Sequence, residues 1–412
     1  MTRRTTLPLL LCGFSRRLFA QDWPQFRGPD GQGHSNEIAL PLTWSETENV
    51  RWKVPIPGRG WSSPAILGDR IWLTTSIGRG PSLHAICLDR ETGRLQQNVE
   101  LFRLTSAEGI NSKNSYATPT PVLEGDNVYL HFGPYGTACI RKSGEVVWKA
   151  RLKYSPEHGP GGSPVLFENL LIVSCDGQDT QYVVALDKET GKIRWRSARE
   201  GYQAYTTPLV IEAAGRAQVI SPGAHRAASY DPRTGKEIWS VRYGQGFSNV
   251  PRPVFGDGLV FICTGFFEPL VLAVRPDGKG DVTNTHVAWT LRRGAPLTPS
   301  PLLVGEELYV VSDSGIATCL DAETGTARWR ERFHGNFSAS PVSADDRIYF
   351  LNEAGETTVI ASGKEFRKLA TNHLDGETLA SIAVSGGALF IRTHESLYRL
   401  QVGQAVSPVP GK

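Results

Sequence analysis

The sequence predicts an all-β chain folded as a single eight-bladed β-propeller, with four-stranded blades and an N-terminal strand that closes the last one. Three observations predict it. First, one turn sentence recurs. Cys319 to Trp329 reads C-L-D-A-E-T-G-T-A-R-W. Ala185-Leu-Asp187 leads to Thr190-Gly191 and Trp195, and Ser229-Tyr-Asp231 to Thr234-Gly235 and Trp239. Cys87-Leu-Asp89 leads to Thr92-Gly93 with Gln97 where Trp is expected, and Cys139-Ile-Arg141 to Gly144 and Trp148 through a shortened turn. Second, each unit opens on Ser, Thr or Arg followed by Pro and apolar residues. Third, successive openings lie 40 to 57 residues apart, near the period of a four-stranded blade.

Each copy has its own logic. Asp and Thr bond nearby backbone groups in a turn, and Gly takes the positive φ that other residues resist. Trp brings a large apolar face and one N–H that needs a partner. The small residue two places before the Asp (Cys87, Ala185, Ser229, Cys319) suggests that a Trp from one unit docks over the small position of its neighbour.

The 412 residues suit a repeat array better than one ordinary core. With 43 Gly and 27 Pro against 21% charged residues, short strands joined by many turns are expected. The formal charge of +3 and the lack of a Lys/Arg block exclude a nucleic-acid footprint.

Residues 1–20 read as a signal peptide. Arg3-Arg4 precede the apolar Leu7–Phe14, and Phe19-Ala20 stand before Gln21 as a cleavage site. The stretch is too short to span a bilayer. Residues 21–43, beginning Asp22-Trp-Pro-Gln-Phe-Arg-Gly-Pro, are turn-rich without apolar period and read as a loop wrapped on the surface. Residues 44–401 are the propeller and 402–412 a tail. Beyond Cys12, the five cysteines fall at repeat-equivalent slots that belong far apart, so they read as buried thiols.

The openings run Ser63-Pro64, Thr120-Pro121, Ser163-Pro164, Thr207-Pro208, Arg252-Pro253, Ser300-Pro301 and Ser340-Pro341, with Ser381-Ile382 as an eighth without Pro. The eighth unit offers strands near Ile382–Val384, Ala388–Arg392 and Leu397–Leu400 and lacks a fourth. Val50–Val54, an orphan strand carrying Trp52, is predicted to supply it and hide two sheet edges. The first unit carries an insertion around Phe102–Asn114. The fifth carries Asp277–Asn284, whose oxygens hint at Ca²⁺ but lack the spacing and final Glu of an EF-hand loop, so it reads as a hairpin insertion.

The repeats resemble the tryptophan-docking repeats of the pyrroloquinoline quinone (PQQ) propeller superfamily, over about residues 44–401. The opening D-W-P-Q-F-R-G-P-D-G and the stretch Arg275–Trp289 resemble a group of secreted bacterial PQQ-repeat proteins without an assigned activity. The resemblance implies two functions. One is that of the dehydrogenases, which hold PQQ and calcium in the central funnel with an acidic residue, an Asn, an Asp base, an Arg and a stacking Trp. The other is that of the outer-membrane assembly propeller, which binds partners without a cofactor. The sequence has no adjacent Cys pair, no C-x-x-C-H haem site and no local motif for the calcium ligands or the base.

A site is expected where the loops entering each innermost strand crowd one face of the ring. The funnel candidates are Arg59, Trp61, Asn114, Tyr116, His158, Tyr205, Asn249 and Asn336, with Tyr202, Gln203 and Phe247 among their companions. The loops between second and third strands add His131, Asp176, His225-Arg226, Glu268 and Asp313. The bland alternative is that the aromatics only cap the blades. No catalytic residue and no metal ligand is assigned. The expectation is a monomeric, periplasmic or secreted binding propeller for a protein, envelope or small-molecule partner, with a PQQ- and calcium-dependent oxidoreductase as the alternative.

Overall fold

A computed structural model describes residues 21–78, 82–105 and 109–403. Residues 1–20, read as a signal peptide, and nearly all of the tail lie outside the described residues. Eight sheets stand in a ring, antiparallel but for one short added strand, and no helix occurs among the described residues. Blade 3 shows the plan: Val165–Phe167 innermost, then Leu170–Asp176, Gln181–Asp187 and Ile193–Ala198 outermost. The second strand is buried along its whole length, which is why it reads as an unbroken apolar run. The outermost strand alternates, with Trp195 inward between exposed arginines.

The ring closes as predicted. Val50–Pro55 pairs antiparallel with Ser396–Leu400, putting Trp52 opposite Arg399 and Val54 opposite Leu397. It completes the blade formed by Ala383–Ser385, Ala388–Arg392 and Ser396–Leu400.

Neighbouring blades are latched by the recurring Trp, and here the structure corrects the expected docking. The small residue lies opposite the Trp of its own blade: Ala185 pairs with Trp195, Ser229 with Trp239, Cys319 with Trp329. At Trp52, Trp148, Trp195 and Trp289 the indole docks instead over the turn glycine of the next blade, whereas Trp329 packs on Phe366. A Cβ on Gly191 would lie 2.6 Å from Trp148, and one on Gly235 2.5 Å from Trp195. The indole N–H then donates into that turn: Trp148 to the Lys188 carbonyl at 2.9 Å, Trp195 to Pro232 at 2.8 Å, Trp289 to Ala322 at 2.9 Å, Trp52 to Arg90 at 3.2 Å. The glycine serves twice, through its φ near +70° and through the space it leaves.

The insertion in blade 5 is not a hairpin. Gly280–Asp281 pairs in parallel with the outermost strand of blade 4, opposite Trp239 and Ser240, and gives that sheet a fifth strand. Val282 is buried beneath it. Asp281 bonds Thr283 and faces Arg242 at 3.5 Å, and Asp277 faces His286 at 3.6 Å, so the hinted oxygens serve a clasp. With its usual turn replaced, Trp239 donates to Gln218 of its own blade at 2.8 Å.

Cys87, Cys139, Cys175, Cys263 and Cys319 are free and buried. Burial pushes the Cys87 and Cys139 thiols up to about 12.

Candidate functional site

The axis holds a cavity of about 720 Å³, within the ~300–1,000 Å³ range of small-molecule sites. Its waist is built by the unit openings. Each hydroxyl at the start of an innermost strand accepts the backbone N–H of the preceding opening. Ser63 donates to Thr120, Thr120 to Ser163 and Ser163 to Thr207, each at 2.9 Å. Arg252 donates to Ser300 at 3.0 Å, Ser300 to Ser340 at 3.0 Å, Ser340 to Ser381 at 2.9 Å, and Ser381 to Ser63 at 3.0 Å. The ladder breaks once, between Thr207 and Arg252, because Arg252 has no hydroxyl. Ser/Thr recurs at the openings for this reason: a side-chain acceptor is needed where the blades converge too closely for strand pairing.

Below the waist, residues 21–37 run under the ends of the innermost strands. Trp23 and Ile66 exchange backbone bonds at 2.9 and 2.8 Å, and Leu123 donates to Pro24 at 2.8 Å. On the far side Ser343 donates to Gly33, and the Glu37 carboxylate accepts from Gly386 and Gly387, all at 2.8 Å. Arg252 turns down from the broken rung to the Phe26 carbonyl at 2.7 Å, and Phe26 lines the cavity. Burial, with Arg252 nearby, pulls the Arg27 guanidinium down to about 9, and burial, opposed by the Asp30 charge, pulls Arg252 to about 10. The segment thus buries Trp23 and Arg27 rather than merely wrapping the outside, and it makes the channel a cup.

The entry loops form the wall and mouth. Trp61 packs on His394, His158 on Tyr205, and Phe247 meets both Tyr202 and Phe266 edge to face. Gln203, 1% exposed, donates to Glu157 at 2.9 Å. Lys113, from the insertion after blade 1, reaches Glu353 of blade 7 at 2.8 Å across the rim. Asp313 accepts the N–H groups of Leu297 and Thr298 at 2.7 and 3.2 Å.

Of the funnel candidates, Trp61, Asn114, His158 and Tyr205 line the cup together. The other four stand elsewhere. Arg59 is exposed and donates to the Ser112 carbonyl at 3.2 Å. Tyr116 packs edge to face on Tyr135. Asn249 is fully buried and donates to Tyr243 and the Cys263 carbonyl, both at 3.1 Å. Asn336 is exposed, its carbonyl accepting from Glu353 at 2.7 Å. The hydroxyl rungs, Phe26, Lys113, Glu157 and Phe266 escaped sequence reasoning. The rungs were legible as openings, and only the radial geometry shows them facing the axis.

In the second set of loops, Asp176 forms a buried two-bond ion pair with Arg199, which also donates to the Ser221 carbonyl at 2.8 Å. Burial pushes the Asp176 carboxyl up and the Arg199 charge opposes it. His131 is buried between Thr137 and Tyr154, and burial pulls its pKa down to about 3. Both are structural contacts outside the cavity wall.

The cup does not fit a quinone with calcium. No arginine lines it. Asn114 spends its amide on the His158 carbonyl, Ser115 and Thr118. Asp313 serves two backbone donors, and Trp61 lies against His394. No cluster of three His, Cys, Asp or Glu side chains with metal-binding geometry occurs among the described residues. Nor is any helix there long and apolar enough to cross a membrane.

A family model described as outer membrane protein assembly factor BamB matches residues 42–159, 136–265 and 223–396. Among solved structures, BamB from Moraxella catarrhalis superposes with a TM-score of 0.61 at 13% identity, over 85% of this chain and 99% of that one. Quinohemoprotein alcohol dehydrogenase from Comamonas testosteroni superposes with a TM-score of 0.68 at 11% identity, over 95% of this chain and 82% of that one. These likenesses show the fold. A stretch of 122 residues is 34% identical to serine/threonine-protein kinase AfsK of Streptomyces griseus, which is 28% of this chain and 15% of the kinase.

Proposed function

The chain belongs to the PQQ-repeat propeller family described as outer membrane protein assembly factor BamB, and from that premise we propose that it is a non-catalytic, extracytoplasmic binding propeller. Its axial cup receives a ligand, and its rigid ring presents the loop face to a protein or cell-envelope partner. The fold alone does not decide this, since the same architecture carries dehydrogenases. The carrying observation is the state of the wall. The Asn114 amide, one oxygen of Glu157 and one oxygen of Asp313 already serve neighbouring groups, which argues against their acting as acid, base or metal ligand. The extracytoplasmic setting rests on Arg3-Arg4, the apolar Leu7–Phe14 and Ala20-Gln21.

The test is a titration of the chain from Gln21 onward with PQQ, with and without Ca²⁺, by calorimetry, alongside dye reduction with simple alcohols and sugars. No metal-dependent binding and no turnover are expected. Tight, metal-dependent binding with turnover would move the protein among the quinoprotein enzymes.

A further inference from the structure

We propose that the cup recognises the end of a neutral oligosaccharide chain. The proposal deepens the binding reading above and rests on it. The argument starts from what the wall can satisfy. The hydroxyls of Ser63, Thr120, Ser163 and Ser381 each accept one backbone N–H and keep a proton to donate. A purely apolar ligand would desolvate these hydroxyls without replacing their hydrogen bonds with water, which is costly. A polyanion meets two carboxylates, Glu157 and Asp313, no lining arginine, and a lysine already paired with Glu353. A cation meets carboxylates occupied by Gln203 and by two backbone N–H groups, with Lys113 also on the wall.

What remains is an uncharged ligand that both donates and accepts and that carries flat apolar faces. A pyranose ring is such a ligand: its C–H faces lie on aromatic rings and its hydroxyls bond around the edge. The cup offers His158, Tyr202, Tyr205, Phe247 and Phe266 as faces. A second observation points the same way. Gln203 spends its N–H on Glu157, but its Oε1 is buried without a donor, as is the hydroxyl of Ser248, whose own N–H donates to the Gln203 carbonyl at 2.9 Å. Trp61 Nε1–H, on the opposite wall, also lacks an acceptor. Leaving a buried polar group unmet is costly, and hydrogen bonds to ligand hydroxyls would relieve that cost.

The floor decides which part of a glycan enters. Phe26, tied by Arg252 and carried by a segment bonded to the innermost strands of blades 1, 2 and 7, shuts the lower end. A polymer cannot thread the axis, so only a chain end or a short oligosaccharide fits.

The chain from Gln21 onward would be titrated calorimetrically with maltotriose, cellotriose, xylotriose and triacetylchitotriose, with tryptophan emission followed in parallel. The expected result is saturable binding of at least one trisaccharide with a change in emission. Gln203→Leu, and separately Tyr202→Ala at the exposed mouth, should weaken it about tenfold while the melting temperature holds. The matching hexasaccharide should bind no tighter than the trimer. Binding of none of the four by a folded chain overturns the proposal and leaves the scaffold reading standing. A hexamer that gains affinity with length overturns end recognition. PQQ-dependent oxidation of a bound sugar would sink the non-catalytic reading instead and leave saccharide recognition intact.

Discussion

Gln97 of blade 1 donates through its side-chain amide to the Lys142 carbonyl at 2.6 Å, the bond that Trp148 makes to Lys188 one blade further on. Where the repeat loses its indole, the latch keeps its hydrogen bond, and Gly144 still lies beneath it: a Cβ there would stand 2.8 Å from the Gln97 amide oxygen. The shared element is therefore a donor reaching a turn carbonyl over a glycine. Gln97→Leu should cost about 1 kcal/mol. Gly191→Ala, which meets both a φ of +70° and the Trp148 ring, should cost more, about 2–4 kcal/mol. Chemical denaturation of the two variants checks the order; equal losses would refute the double role given to the glycine.

Closure makes a sharper demand. Trp52 is 6% exposed, packs on Phe390 and latches blade 8 to blade 1. Trp52→Ala should cost about 3–5 kcal/mol, and removal of residues 49–54 should lower the melting temperature further because it strips a strand from the last blade. An unchanged melt in the deletion would count against a closed ring.

The pH dependence follows from His131. Burial holds it neutral, with its pKa near 3 in the folded chain against 6.5 in the unfolded one. Between those values the unfolded state binds the extra proton. The stability this group contributes is present above pH 6.5 and is lost as pH falls toward 3, by up to about 1.4 kcal/mol per unit. The turn carboxylates Asp187 and Asp321, held low by their Thr hydroxyl and backbone bonds, act only below the ordinary carboxylate range. Urea midpoints between pH 4.5 and 6.5 should therefore fall less steeply in His131→Gln than in the parent. Parallel slopes would remove His131 from the account.

Arg252→Ser should restore the missing rung and cut the tether to Phe26. The expected outcome is a melting temperature little changed and cleavage within residues 24–34 accelerated about several-fold, read by limited proteolysis and mass spectrometry. Cleavage at the parent rate would show that Arg252 does not hold the floor.

The architecture was legible because it rests on local chemistry written several times over: Asp-x-x-Thr-Gly turns, a Trp four residues on, Ser-Pro before each inner strand. The Trp was expected on the neighbouring unit, and Trp52, Trp148, Trp195 and Trp289 do reach the next blade; the landing point differed, because the small residue faces the Trp of its own blade across the strands while the indole rests on the next blade's turn glycine. The site was half legible. Trp61, Asn114, His158 and Tyr205 converge because entry loops aim at the axis. Asn249 and Tyr116 sit in the same loops but turn back into the blades, and Arg59 and Asn336 stay outside the cup. Loop position is set by period, while loop side-chain direction is set by φ/ψ that no repeat encodes. The floor was invisible because Arg27 and Trp23 lie in a segment without period.

The pairing of Val50–Pro55 with Ser396–Leu400 also sets a timetable. Strand Val50–Pro55 is among the first parts of the ring to be synthesised, and its partner among the last. Until then one sheet edge stays open, and the rest of the toroid must be held near its final curvature for the ends to meet. Contacts of such sequence separation are slow to form, and open strand edges invite pairing with other chains. The protein is therefore most exposed to misassembly in the interval between finishing its seventh blade and sealing its eighth.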